Sequence, residues 1–220
     1  MLLEKQLIEK IIETALATGG DFAEVFSEET VSGAIQTVGG LVEKANSRKQ
    51  YGVGIRIAHK LQSVYGYTNS QNPDDVIKLS SDLSKSFSDV NKSTPVKLGT
   101  IEVGKRHQVK ISPLQVKQSE KVALLKKAYH AAKTYDEVIQ QVMVGLSEWV
   151  QTVVIANSEG RYVTEVRTRI RLGINAIAGK DGVMQTGYEA PGTGKGYEYF
   201  YEDIDIEEIY SDIPNNIVHL

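Results

Sequence analysis

Leu3, Leu7, Ile8, Ile11, Ile12 and Ala15 recur every three or four residues at the start of the chain, and Glu4, Lys5, Gln6, Glu9, Lys10 and Glu13 keep the opposite face polar. The spacing predicts an amphipathic helix over residues 2–18, stopped by Gly19-Gly20, a pair able to take a left-handed backbone conformation. Short extended runs follow at 22–28, 31–38, 41–45, 52–58 and 63–68. Gly39-Gly40 reads as a two-residue hairpin turn. His59-Lys60 stands at hairpin distance between Val53, Ile55, Ile57 and Val64, Tyr65, Tyr67, so an antiparallel meander is predicted.

Asn72, Pro73, Asp74 and Asp75 then supply a cap, a first-turn proline and two acids for the positive end of a helix dipole. Val76, Leu79, Leu83 and Phe87 share one face of that helix, which should end near Asp89. From 90 to 118 the periodicity fades and Pro95, Gly99, Gly104 and Pro113 punctuate the chain, the pattern of a crossing segment with a domain boundary near residue 100. Ser119 reads as the cap of a third helix that carries Val122, Leu125, Ala128, Tyr129 and Ala132 on one face and stops near Lys133. Residues 138–146 alternate, 149–156 form a nearly continuous apolar run, and Asn157-Ser158-Glu159-Gly160 is a turn. Strands over 161–178 and 183–188 flank a Lys180-Asp181-Gly182 turn. Helix, strands, helix, strands predicts an α+β fold in two lobes, residues 1–100 and 101–220, with helices packed on mostly antiparallel sheets.

Composition narrows the function classes. At 220 residues, with 41% hydrophobic and 24% charged positions, the chain can close its own core without staples. The absence of cysteine excludes disulfides, thiolate metal sites, iron–sulfur clusters and a cysteine nucleophile, and it fits a reducing, cytoplasmic setting. A net charge of -3 gives no general pull toward nucleic acid or anionic membrane. The charges among the first sixteen residues argue against a leader or a membrane span. Asn91-Lys92-Ser93 matches a glycosylation sequon, which carries no weight in such a setting.

His59, His107, His130 and His219 are far apart, and none stands at metal-ligand spacing, so no metal site is expected from this chain. His130 is read as a surface or half-buried packing residue and His59 as solvated. Gly192-Thr193-Gly194-Lys195-Gly196 fails as a phosphate loop, because Glu189 stands where a Walker loop needs glycine and Gly196 where it needs serine or threonine. It reads as a flexible surface loop. Gly52-Val53-Gly54 lacks the third glycine and following helix of a dinucleotide fingerprint, and reads as close strand packing.

Charge is uneven along the chain. Nine Lys/Arg face Glu102 and Glu120 between 97 and 133, and seven acids lie between 198 and 212. Such runs are solvated faces or pair with each other, and no aromatics interleave the basic one before Tyr129. Arg167, Arg169 and Arg171 alternate on one strand face and favour a carboxylate-bearing partner, either the acidic segment or a peptide terminus. Ile204, Ile206, Ile209, Ile213, Ile217 and Val218 have little chain left to bury them, which predicts an apolar C-terminal surface and self-association.

In order and spacing, Gly20-Asp21-Phe22-Ala23-Glu24-Val25, the stretches 40–69 and 156–182, and the Gly-Lys-Gly-Tyr-Glu-Tyr-Phe run ending at Phe200 resemble the TldD/PmbA family, also called modulators of DNA gyrase, and its TldD branch most closely. The resemblance implies a cytoplasmic zinc-dependent peptidase for unfolded peptides, often a heterodimer in which only the TldD-type subunit carries metal. The family's His-Glu-x-x-x-His helix lies in a C-terminal half with no counterpart here, so no zinc ligand or general base maps onto this sequence. The chain is expected to be the N-terminal, substrate-admitting and dimerising portion of such a peptidase, inactive by itself and without a cofactor, zinc being implied for a complete protein. Two alternatives are a stand-alone peptide- or protein-binding member and, third, a nucleic-acid-associated modulator. The expected partners are a family subunit, in a homo- or hetero-oligomer, and a flexible peptide. The residues expected to meet the peptide or the subunit interface are Arg169, Arg171, Tyr188, Gly192, Gly194, Gly196 and Tyr197. Glycines would keep the loop mobile, the two tyrosines would clasp a strand added to a sheet edge, and the arginines would meet a carboxylate.

Overall fold

Helix α1 (Lys5–Leu16) buries Ile8, Ile11, Ile12, Ala15 and Leu16, the stripe that the periodicity picks out. Gly19, at φ 116°, breaks it. The structure, a computed structural model, describes residues 3–87, 95–104 and 108–211. Strands β1 (Phe22–Val38) and β2 (Leu41–His59) are each continuous where the pattern predicts two short runs. The physical reason is that every residue from Leu41 to Gln50 is exposed, so backbone pairing, not an apolar stripe, holds that part of β2 extended. Between them, Gly39 and Gly40 take φ 58° and 79°, the mirror-image turn that matches strand twist.

Strand β3 (Gln62–Thr68) runs antiparallel to β2, from Val53 opposite Thr68 to His59 opposite Gln62. Their turn therefore falls on Lys60-Leu61, one residue later than predicted. Helix α2 (Pro73–Ser84) starts as its sequence dictates, with Asn72 Oδ1 accepting from the Asp74 N–H at 3.1 Å. The Ser80 hydroxyl donates to the Ile11 carbonyl at 2.7 Å and ties α2 to α1. The helix stops at Ser84, whose carbonyl accepts from the Thr18 hydroxyl, and the expected end at Asp89 lies outside the described residues.

A two-residue strand, β4 (Gly99–Thr100), and a short 3₁₀ turn (Pro113–Gln115) follow. Helix α3 (Gln118–Lys133) has Lys117, not Ser119, at its cap position, and no side chain caps it. The remaining elements are β5 (Ile139–Asn157), β6 (Arg161–Lys180), β7 (Val183–Glu189), β8 (Gly192–Thr193) and α4 (Ile206–Ser211). Asp181 and Gly182, at φ 50° and 81°, form the predicted turn between β6 and β7.

The sheet order is β3-β2-β1-β5-β6-β4, with β7 and β8 also on β6. Strand β4 runs parallel to β6, whereas β7 and β8 run antiparallel to it. Bonds joining residues 39 to 142, 37 to 144 and 23 to 158 make β1 and β5 antiparallel too. The fold is α+β with a mostly antiparallel sheet, as the sequence pattern predicts.

The chain forms two compact units, residues 1–30, 49–105 and 151–166, and residues 31–48, 106–150 and 167–220. Each long strand, β1, β2, β5 and β6, gives one stretch to each unit. The core of the first combines α1 with Val25, Ile55, Ile57, Val76 and Val154. That of the second combines Leu125, Ala128 and Ala132 of α3 with Val142, Val144 and Leu146 of β5 and Leu172, Ile174 and Ala176 of β6. Ile206 is buried in that core, and Ile204 and Ile209 pack against it, so these three form no apolar surface. Ile213, Ile217 and Val218 lie outside the described residues.

Candidate functional site

On β6 the even positions Thr168, Ile170, Leu172, Ile174, Ala176 and Ala178 are buried. Arg167, Arg169 and Arg171 therefore face the other way, as strand alternation requires. Arg169 lies over the Trp149 ring, 5.4 Å from its centroid, and Arg171 over Tyr188 at 5.9 Å. Both guanidinium groups rest on aromatic faces. The Arg171 Nε also donates to the Ala190 carbonyl at 3.4 Å. The acidic segment instead pairs with the basic one, Lys110 with Glu202 and Lys127 with Glu207 at 3.3 Å.

The stretch from Gly187 to Thr193 is held largely by strand pairing rather than loose. Gly187 stands opposite Ala176 in the β6–β7 ladder, and Gly192 opposite Arg171 where β8 joins β6. A Cβ on Gly192 would lie 2.8 Å from the Ile170 carbonyl oxygen, and one on Gly196 would collide with the Ile111 carbonyl. Close backbone approach is what both glycines permit. Gly194 sits in the bend between them, beside Lys195, whose ammonium reaches Asp203 at 2.9 Å. Tyr188 is 60% exposed, but Tyr197 is fully buried and its hydroxyl donates to Glu148 at 3.1 Å. Tyr197 is thus a core residue, and of the two tyrosines only Tyr188 offers its ring to an incoming chain.

The edge of β6 beside Arg171 is already occupied by β8, and residues 174–180 by β7. Strand β7 pairs only with β6 among the described residues, and its Val183, Met184 and Tyr188 are exposed. It presents an open edge to solvent. On the face of β5 and β6 opposite α3 lies a groove of about 420 Å³, lined by Lys44, Asn46, Gly145, Arg171, Asn175 and Tyr188 among others. A smaller hollow of about 210 Å³ is bordered by Gly33, Asn46, Leu114, Lys121, Glu148 and Trp149.

Three residues that the sequence reading passes over organise the second unit. Lys121 and Glu148 form an ion pair with side chains only 9% and 10% exposed, and Lys121 also lies over the Tyr197 ring. Burial, and the Glu148 carboxylate beside it, push the Tyr197 phenol well above its ordinary range, so it stays protonated and donates. Glu198, 2% exposed, accepts from the backbone N–H groups of Gly196 at 2.9 Å, Lys110 at 3.1 Å and Ile111 at 2.9 Å. Burial pushes its carboxyl up, but these N–H groups outweigh burial and hold it below the ordinary glutamate value.

His59 is not solvated: its ring is 14% exposed, Nδ1 lies 3.3 Å from Asp21, and Phe87 packs 5.5 Å away. His130 is exposed beside Tyr129, while His107 and His219 lie outside the described residues. Among the described residues no group of three or more His, Asp or Glu side chains could hold a metal ion, so these residues do not fit a zinc centre. No described helix is long and apolar enough to cross a membrane.

Residues 23–85 match the model of PmbA/TldA metallopeptidase domain 1, and residues 111–219 that of the PmbA/TldA metallopeptidase central domain. A metalloprotease TldD homolog of Buchnera aphidicola is 22% identical over 186 residues, covering 84% of this chain and 38% of that protein. A metalloprotease of Methanothermobacter thermautotrophicus is 25% identical over 191 residues, 86% of this chain and 41% of that one. A modulator of DNA gyrase from Thermotoga maritima superposes with a TM-score of 0.76 at 18% identity, over 98% of this chain and 48% of that one. TldE from Thermococcus kodakarensis gives 0.68 at 15% identity, over 96% and 47%. This chain thus spans about two fifths of the curated relatives it matches. With two models matched in order along one α+β chain, the protein belongs to the PmbA/TldD metallopeptidase family.

Proposed function

We propose that this chain is the substrate-admitting and dimerising portion of a TldD-like metallopeptidase acting on unfolded peptides in the cytoplasm. Zinc and the general base would come from residues other than these 220 or from a partner subunit of TldD or TldE type. The division near residue 100 into an N-terminal and a central lobe is part of this reading, and the two matched models, 23–85 and 111–219, support it. The observation that carries the reading is the open edge of β7 beside the stacked Arg171–Tyr188 pair. An extended peptide can add there by main-chain hydrogen bonds whatever its sequence, and an exposed guanidinium beside the edge favours its carboxylates. The stand-alone binding module draws on the same surface and differs only in lacking a catalytic partner. The pairing of Lys110 and Lys127 with acids argues against the nucleic-acid reading.

In the assembled enzyme, Arg169→Glu and Gly194→Ala are expected to lower turnover of an unstructured peptide several-fold while bound zinc stays at the wild-type level. Unchanged turnover in both variants would reduce residues 187–196 to a plain connector.

A further inference from the structure

Gly145 on β5 and Gly173 on β6 both line the 420 Å³ groove, and neither brings a side chain into it. A Cβ on Gly145 would meet nothing within 4 Å, so the space above it is open, whereas one on Gly173 would stand 3.3 Å from the Tyr188 hydroxyl. Glycine inside a strand weakens it and marks places where another backbone comes close. Lys44 and Arg171 line the groove and no acidic side chain does. Among the described residues neither cation has a carboxylate partner. Asn175 also lines it, with a side-chain amide that hydrogen-bonds no described residue and an Oδ1 buried without a donor. Rotation of that amide toward an incoming N–H would satisfy it.

We infer that the groove receives the C-terminal end of an extended peptide, with the α-carboxylate at Lys44 and Arg171 and the adjoining peptide N–H at Asn175. The inference rests on the peptide-admission reading and names its substrate class: chains with a free C-terminus. Charge complementarity selects an anion, and the open space over Gly145 lets a backbone come close there, which describes an α-carboxylate better than a side-chain one. The volume falls within the usual span for ligand pockets, about 300–1,000 Å³.

The test titrates the 220-residue chain with a fluorescent unstructured peptide bearing a free C-terminus, and with the same peptide amidated. Amidation is expected to weaken binding about tenfold or more, the size of a charge-assisted contact. Gly145→Val fills open space with a strand-favouring residue, so it should weaken the free acid by at least as much while the thermal midpoint holds or rises. Lys44→Ala with Arg171→Gln should erase the difference in affinity between the free acid and the amide. Equal binding of both peptides, wild-type binding by Gly145→Val, or recovery by an amidated peptide ending in aspartate would overturn the inference. If both peptides bind alike but Arg169→Glu still impairs binding, only the groove assignment falls. If neither peptide binds the wild-type chain, the admission reading falls with it.

Discussion

Replacing Glu148 with alanine is expected to lower the unfolding temperature of the second unit by roughly 10 °C. The variant leaves the Lys121 ammonium, only 9% exposed, without its counter-charge, and it removes the acceptor of the buried Tyr197 hydroxyl. Breaking a buried pair from one side costs about 3–5 kcal/mol, and a chain of this size loses roughly 2–4 °C per kcal/mol. Volume alone does not explain that size of effect, and a second variant separates the two causes. Lys121→Met with Glu148→Gln removes both charges, keeps similar bulk and leaves an amide oxygen for Tyr197, so it should recover most of the lost stability. If the double variant is as unstable as Glu148→Ala, the uncompensated charge is not the cause. Scanning calorimetry with a near-ultraviolet probe of Trp149 reads both.

Glu198→Gln is expected to destabilise the same unit by about 2–3 kcal/mol. Glu198 collects N–H groups from Gly196, Lys110 and Ile111, and so fastens the segment before the 3₁₀ turn to the one after β8. A glutamine keeps one acceptor and turns two donors toward an N–H that already donates. The ion pair Lys110–Glu202 is the control: its side chains are 60% and 51% exposed, and Glu202→Gln should change stability by less than about 1 kcal/mol. A pH dependence follows from the same geometry. The folded-state carboxyl of Glu198 lies below its ordinary value of 4.5, so its contribution is fully present above that value and is lost as pH falls through the depressed folded value. Glu198→Gln should abolish this acid-limb loss. An acid limb with the wild-type slope would show that Glu198 does not anchor the segment.

Much of this architecture is legible in the residues, and the parts that are not have identifiable causes. Gly39-Gly40, Asp181-Gly182 and Asn72-Pro73 mark their turns and cap because each needs a backbone state or side-chain acceptor that few residues supply. The outward row of arginines follows from parity alone. Strand β2 escapes the pattern because its first ten residues bury nothing on either face, leaving no alternation to read. Tyr197 misleads because the glycines before it suggest mobility, whereas Gly196 is small so that the Ile111 backbone can sit against it. The buried charges are recoverable in retrospect. Glu148 occupies the inward parity of Val142, Val144 and Leu146, and Lys121 shares a helix face with Leu125, Ala128 and Ala132. A charge at an inward register calls for a buried partner, and each supplies the other's. The edge available to a peptide was beyond pattern reasoning, because it is the outer edge of β7, exposed only once β7 and β8 have returned to cover the edge of β6.

The central claim, that these 220 residues admit peptide and leave the chemistry to others, is tested most directly by metal and peptide measurements on the same purified chain. After dialysis the account predicts far less than one equivalent of zinc, measurable binding of an unstructured peptide, and no cleavage of that peptide on prolonged incubation. One equivalent of retained zinc, or cleavage abolished by a chelator, would contradict it.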